Sequence, residues 1–183
     1  MRLTEKTHFV LKNFIKNGDY LIDATAGNGH DTVFLAEETG PTGHVYAFDI
    51  QKESIEETTQ RIRSKEFHKR VTFFHCSHSE IPERIPCKLH GKIKAITFNL
   101  GYLPGGNKNL ITKAETTLLA LKKSYSLLVK HGKISIIAYR GHAGGKTEYE
   151  SVKNYISNNN LEHESFACDT GSDSPVLFII TKS

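Results

Sequence analysis

Two carboxylates bracket a glycine turn in the segment LIDATAGNGHDT. Asp23 closes an apolar run, Gly27 and Gly29 form the turn around Asn28, and Asp31 opens the next segment. Glycines at such a turn let backbone approach a ligand closely, and a helix that begins there offers N–H groups with no intrahelical partner. Ordinarily that combination invites a phosphate. Here two acids stand where a pyrophosphate would lie, and like charges at close range repel. The turn therefore suits a cationic ligand, such as one carrying an ammonium and a sulfonium, and S-adenosylmethionine carries both. A second reading of Asp31 remains: an acid in the first turn of a helix is favoured by the macrodipole.

Three further segments add polar groups that one pocket could share. Asp49 ends the apolar run VYAFD about 20 residues beyond the turn, where an acid can accept hydrogen bonds from ribose hydroxyls, and Ile50 would flank an adenine face. Asp49 could equally cap the next helix. In HCSHSE, Ser77 and His78 are candidates for the adenine edge, or else simply make a polar surface turn. The segment FNLGYLPGG contains Asn99-Leu100-Gly101-Tyr102, the Asn-x-x-aromatic shape found in amino-methyltransferases. There the Asn side chain and the Leu100 carbonyl would accept hydrogen bonds from an attacking amine while an aromatic ring stacks on the base. In AYRGHAGG, Tyr139 could stack on a nucleobase, Arg140 could meet a phosphate and His142 could relay a proton; helix capping by Gly144 and Gly145 is the competing account.

These segments need a scaffold that brings strand ends together. Apolar runs predict strands over 20–24, 44–49, 71–75, 93–100, 133–139, 162–168 and 176–182, and 3.6-residue periodicity predicts helices over 4–16, 31–38, 52–65, 112–128 and 147–158. On the first helix the apolar face reads as Phe9, Val10 and Phe14, with Leu3. Strand–helix alternation builds an α/β, doubly wound, Rossmann-like parallel sheet, and ligands bind beyond the carboxyl ends of its strands. Only a short loop joins the last two strands, so they must form an antiparallel hairpin. A seven-stranded sheet of this kind is the outline of the class I methyltransferases. One domain is expected over residues 1–183.

Composition limits the alternatives. The chain has 38% apolar and 24% charged residues, as in a soluble globular protein, with no apolar stretch long enough to span a bilayer. The N-terminus has helical periodicity rather than a signal-peptide block, so no membrane partner and a cytoplasmic location are expected. Cys76, Cys87 and Cys168 show no framework spacing, and Cys76 with His78 lacks a second ligand pair, so no metal is expected. A net charge of +4 and a pI near 8.9 permit an RNA partner, and Lys108, Lys113, Lys122, Lys123, Lys130 and Lys133 share one stretch. Two rival classes remain open: a dinucleotide-dependent oxidoreductase, against which Asp23, Asp31 and Thr32 at the third glycine position speak, and a non-catalytic RNA-binding module.

DATAGNGHDT, AFDIQ and FNLGYLPGG together resemble the tRNA 5-aminomethyl-2-thiouridine methyltransferases of the MnmM type, small class I enzymes earlier described as rRNA methylases. The resemblance runs over effectively the whole chain. Thr25, where the wider fold often has glycine, is also the family's residue. The resemblance implies methyl transfer from S-adenosylmethionine to the aminomethyl nitrogen of a wobble uridine in the tRNA anticodon stem-loop; another RNA base or a small molecule is the alternative acceptor. It implies that Asn28, Asp31, Asp49, Gln51, Ser77 and His78 hold the cofactor, with Asn99 and Gly101 lining the methyl group. Tyr102, Tyr139 and His142 would face the nucleotide. It also implies a homodimer.

Overall fold

The computed structural model describes residues 1–101, 103, 105, 111–167, 171 and 173–183. Seven strands form one sheet: β1 Tyr20–Asp23, β2 His44–Asp49, β3 Val71–His75, β4 Ile93–Leu100, β5 Leu128–Ala138, β6 Glu162–Ala167 and β7 Val176–Thr181. Their order is β3-β2-β1-β4-β5-β7-β6. β1 to β5 pair in parallel, while β7 is antiparallel to both β5 and β6. The expected terminal hairpin is present, in register from Glu162↔Thr181 to Ala167↔Val176. Strand order reverses between β1 and β4, so the ends of these two strands mark the switch point of the sheet.

Period-two alternation divides the core between the two faces. Leu21, Val45, Ala47 and Ala95 point to one side and pack with Leu11, Leu35 and Ile62. Ile22, Tyr46, Phe48 and Ile96 point to the other and pack with Leu121, Val152 and Ile156. The helices are divided in the same way. α1 (Leu3–Lys12), α2 (His30–Glu38) and α3 (Lys52–Ser64) cover the first face; α4 (Ile81–Arg84), α5 (Ala114–Leu127) and α6 (Gly145–Asn158) cover the second.

Three sequence expectations are corrected here. Helix α1 ends at Lys12, not residue 16, and buries Leu3, Thr7 and Leu11, an i, i+4, i+8 stripe, while Phe9 is 61% exposed. Strand β5 starts at Leu128 rather than residue 133. Its pairing with β4 jumps from Ile93↔Leu128 to Ala95↔Lys133, and the extra residues include His131 in the left-handed region (φ 62°). Such a bulge reads locally as a turn, although pairing resumes beyond it. The short helix α4 was not expected, because four residues carry no periodic signal. Among the described residues no helix is long and apolar enough to cross a membrane.

Candidate active site

The glycine turn after β1 is held from three directions. Gly27 donates its N–H to Asp49 Oδ2 (2.9 Å) and its carbonyl accepts from Thr58 Oγ1 of α3 (3.0 Å). Gly29 begins α2 in the left-handed conformation (φ 80°), and a Cβ there would lie 2.9 Å from two side-chain atoms of Thr58. Glycine is thus required twice over, by backbone conformation and by the close approach of α3. Asp49 accepts a second bond from Gln51 N–H (2.8 Å). Burial pushes its carboxyl up, against the pull of the Gln51 and Gly27 N–H groups. Gln51 is buried, whereas Ile50 is 45% exposed beside the turn.

Asp23 is fully buried, and both of its oxygens are engaged: Oδ1 with Thr25 N–H (3.2 Å) and Oδ2 with Thr32 Oγ1 (2.6 Å). Burial, and then the charge of Asp31, pushes this carboxyl up to about 7. Asp23 therefore fixes the turn from below rather than presenting an oxygen to a ligand. Thr32 is accounted for by the same contact. It takes the place of a third glycine because its hydroxyl ties α2 to Asp23. Thr25 has a comparable task, since its Oγ1 accepts the N–H of Asn99 at 2.7 Å and binds the turn to the end of β4.

Asp31 lies buried in the first turn of α2, beside the end of β4. Its Oδ1 accepts from His8 Nε2 (2.5 Å) and its Oδ2 from Asn99 Nδ2. Both contacts cross between elements remote in sequence, and periodicity contains no signal for either; His8 was not among the expected site residues. The ring of His8 stacks on Phe34 with centroids 3.9 Å apart and planes 8° from parallel. Asn99 Oδ1 is buried with no hydrogen-bond partner among the described residues. An unpaired buried carbonyl oxygen is costly in the free protein and marks where a donor is missing.

Next to it, the Leu100 carbonyl accepts from Tyr139 N–H (3.3 Å), the last rung between β4 and β5. Tyr139 is 41% exposed, and its hydroxyl is pushed up by burial and then by the charge of Asp31, so the two side chains lie on the same side of the β4 end. A Cβ on Gly101 would meet His142 Nε2 at 3.5 Å and the Tyr139 side chain at 3.6 Å, which places all three together. His142 Nδ1 lies 3.0 Å from the Ala143 carbonyl. Tyr102, also expected here, lies outside the described residues, as does Lys108. Arg140 donates Nε–H to the Ser174 carbonyl (2.6 Å), stands over the Tyr149 ring, and lines a cleft of about 360 Å³ with His142, Lys146 and Thr147.

Ser77 caps a single 3₁₀ turn (His78–Glu80), its Oγ accepting from Ser79 N–H at 3.2 Å. His78 turns inward instead of lining the pocket with its ring. It is 6% exposed, edge-on to Phe98, and burial pushes it down to about 4, so the imidazole is neutral at physiological pH. Its Nε2 is 3.4 Å from Thr117 Oγ1, and Thr117 donates to buried Glu148 (2.7 Å). Glu148 also accepts from Thr112 Oγ1 (2.6 Å), which in turn accepts Gly101 N–H (2.8 Å). Sequence reading missed this chain because its members come from four separate segments: the exit of β4, the 3₁₀ turn, the start of α5 and α6. Among the basic residues of the 108–146 stretch, Lys123 pairs with Glu83, Lys146 with Asp173, and Lys133 reaches Thr181. No group of three or more His, Cys, Asp or Glu side chains that could hold a metal occurs among the described residues.

A family profile described as "Putative rRNA methylase" matches residues 45–172. A chloroplastic tRNA (mnm(5)s(2)U34)-methyltransferase of Arabidopsis thaliana is 42% identical over 165 residues, covering 85% of this chain and 59% of that protein. The chain spans less than two thirds of the length of the curated relatives it matches. Among solved structures, a Clostridium thermocellum protein of the same rRNA-methylase description superposes with a TM-score of 0.89 at 34% identity, covering 97% of this chain and 96% of that one. A Streptococcus mutans methyltransferase candidate, SMU.1697c, solved in complex with SAH, gives 0.86 at 30% identity, covering 100% and 99%. With its sheet order, its glycine turn and these matches, the chain belongs to the rRNA-methylase family of class I methyltransferase-fold proteins.

Proposed function

We propose that this chain is an S-adenosylmethionine-dependent methyltransferase acting on tRNA, and that it methylates the aminomethyl nitrogen of a wobble 5-aminomethyl-2-thiouridine in the anticodon stem-loop. The observation that carries this is Asn99: its amide nitrogen is committed to Asp31, leaving at the switch point a buried acceptor oxygen with no partner among the described residues. An amine nucleophile supplies the missing donor. The relative named for mnm(5)s(2)U34 supports the same substrate class.

The residues present fit the cofactor. The Gly27–Gly29 backbone and Asn28 would lie against it, and Asp31 would face its ammonium. Asp49 would accept from its ribose, with Ile50 and Gln51 beside the base, while Ser77 and the His78 backbone would reach the adenine edge. When bound, the cofactor supplies an electrophilic methyl group on a sulfonium. The protein's own work is positioning. An alkylamine has a pKa near ~10.4 and arrives protonated, so it must lose a proton before it can attack. Asn99 Oδ1 and the Leu100 carbonyl orient the remaining N–H bonds, with Gly101 leaving room beside them. Tyr139 packs on the base, Tyr102 is proposed to do the same, and His142 takes up the proton. Alignment of this kind is worth effective molarities of roughly 10⁵ M or more.

The same proposal places the activity in one domain over residues 1–183, in the cytoplasm and in a homodimer; light scattering tests the last point. The reaction is tested by incubating the chain with isotopically labelled S-adenosylmethionine and tRNA bearing 5-aminomethyl-2-thiouridine, then analysing the nucleosides by mass spectrometry. Label in 5-methylaminomethyl-2-thiouridine is expected. Label in a different nucleoside would move the enzyme to another RNA base.

A further inference from the structure

We propose that His8 is a positioning residue for methyl transfer: acting through Asp31, it fixes which end of the Asn99 amide faces the acceptor amine. The inference rests on the amine substrate proposed above and adds a residue from the N-terminal helix to the site.

A carboxylate only accepts hydrogen bonds, so both contacts to Asp31 come from donors: Nε2–H of His8 and Nδ2–H of Asn99. An amide has one donating end and one accepting end. With the donating end held by Asp31, the accepting end is directed away, and it is this oxygen that has no partner among the described residues. The chemistry needs that sense. The amine's lone pair must point at the methyl group while its N–H bonds find acceptors. A reversed Asn99 would offer an N–H to the lone pair and occupy the electrons that form the new bond.

Asp31 therefore acts as the key that sets the amide, and His8 holds the key. Phe34 lies one helical turn after Asp31 on the same face of α2, and it carries the His8 ring in a parallel stack. One helix thus fixes both the imidazole and the carboxylate it meets. Asp31 has reason to need two donors. Asp23 lies close enough for the Asp31 charge to raise it, Tyr139 feels the same charge, and Asp49 adds to the negative surroundings. Without His8, Asp31 is left with Asn99 as its one hydrogen-bond donor among the described residues, so a single bond must hold the carboxylate and the amide against rotation away from like charge.

Two substitutions separate this role from simple packing. His8→Phe keeps an aromatic ring on Phe34 and removes the donor; His8→Gln gives up the stack and keeps an N–H at similar reach. Each is compared with the parent chain by melting temperature, by calorimetric titration with adenosylhomocysteine, and by the single-turnover methylation rate at saturating cofactor and tRNA. His8→Phe is expected to melt within a few degrees of the parent yet transfer methyl roughly 10- to 100-fold more slowly, the loss of one hydrogen bond to a charged group. Its affinity for adenosylhomocysteine should change less than its rate. His8→Gln should recover the parent rate to within about threefold. A folded His8→Phe chain with the parent rate overturns the proposal. So does a folded His8→Gln chain slowed more than about tenfold, and this second arm decides the matter if His8→Phe does not fold. Failure of the parent chain to methylate aminomethyl-uridine tRNA is a separate outcome, seen before any variant is made, and removes the substrate reading instead.

Discussion

Two buried polar clusters sit under the same end of the sheet, one on each side of β4, and they are built to opposite rules. On one side, His8, Asp31 and Asn99 form a chain that ends in an acceptor with no donor among the described residues, beside the half-exposed ring of Tyr139. On the other, Gly101, Thr112, Glu148, Thr117 and His78 satisfy one another and face inward. Buried polar groups are normally paired, and the second cluster obeys that rule while the first breaks it by one atom. A fully satisfied network rigidifies a fold; an incomplete one, opening onto a pocket, is where a ligand completes the set. The proposal assigns the first cluster to chemistry and the second to scaffold.

Substitutions should tell the clusters apart. The largest effect is expected at Asn99. Asn99→Ala should lower the single-turnover methylation rate roughly 100-fold or more while the chain stays folded, since the amine loses its positioning acceptor. An unchanged rate would take Asn99 out of the mechanism. Next comes Asp31→Ala, for which adenosylhomocysteine titration should show affinity falling about 10- to 100-fold, because the ammonium loses its carboxylate. In the second cluster the loss should instead appear in stability. Glu148→Ala strands one buried and one half-buried hydroxyl and should cost about 2 kcal/mol in urea unfolding, with adenosylhomocysteine affinity kept within about threefold.

The smallest effects concern pH, and two buried groups, Asp23 beneath the glycine turn and His78 of the second cluster, should respond with opposite signs. Asp23 has its folded pKa raised to about 7 from 3.8, so its contribution to stability is present at acid pH and is lost as pH rises toward 7. His78 has its folded pKa lowered to about 4 from 6.5, so its contribution is present above pH 6.5 and is lost as pH falls toward 4. The melting temperature of Asp23→Asn relative to the parent should therefore rise between pH 5 and 8. That of His78→Gln should rise as pH falls from 7 to 5. Equal slopes for parent and variant would show that the group in question does not titrate across folding.

Much of the scaffold was legible in the sequence, and for a local reason. β2, β3 and β4 begin and end where short apolar runs do, because polar residues at both ends stop each run. The switch-point placement of Asp31, Asp49 and Asn99 came from strand–turn–helix order alone. Contacts between distant segments were not legible. Nothing in the pattern around His8 says that it will reach Asp31, and the 112–127 segment gives no hint that Thr112 and Thr117 share one carboxylate. On α1 the misplaced residue is Phe9, which remains exposed beside Lys6, while Leu3 is buried and Val10 and Phe14 pack against the core as expected. His78 was read as a ligand contact from the polar character of its loop; burial of the ring depends on Phe98 and Thr117, neither of which is near in sequence.

The central claim is that the acidic turn selects a positively charged methyl donor over a phosphate-bearing nucleotide. Parallel calorimetric titrations with adenosylhomocysteine and with NAD test it most directly. Saturable binding of adenosylhomocysteine, weakened by Asp31→Ala, with no binding of NAD, is the predicted result. Tight binding of NAD with none of adenosylhomocysteine would contradict the account.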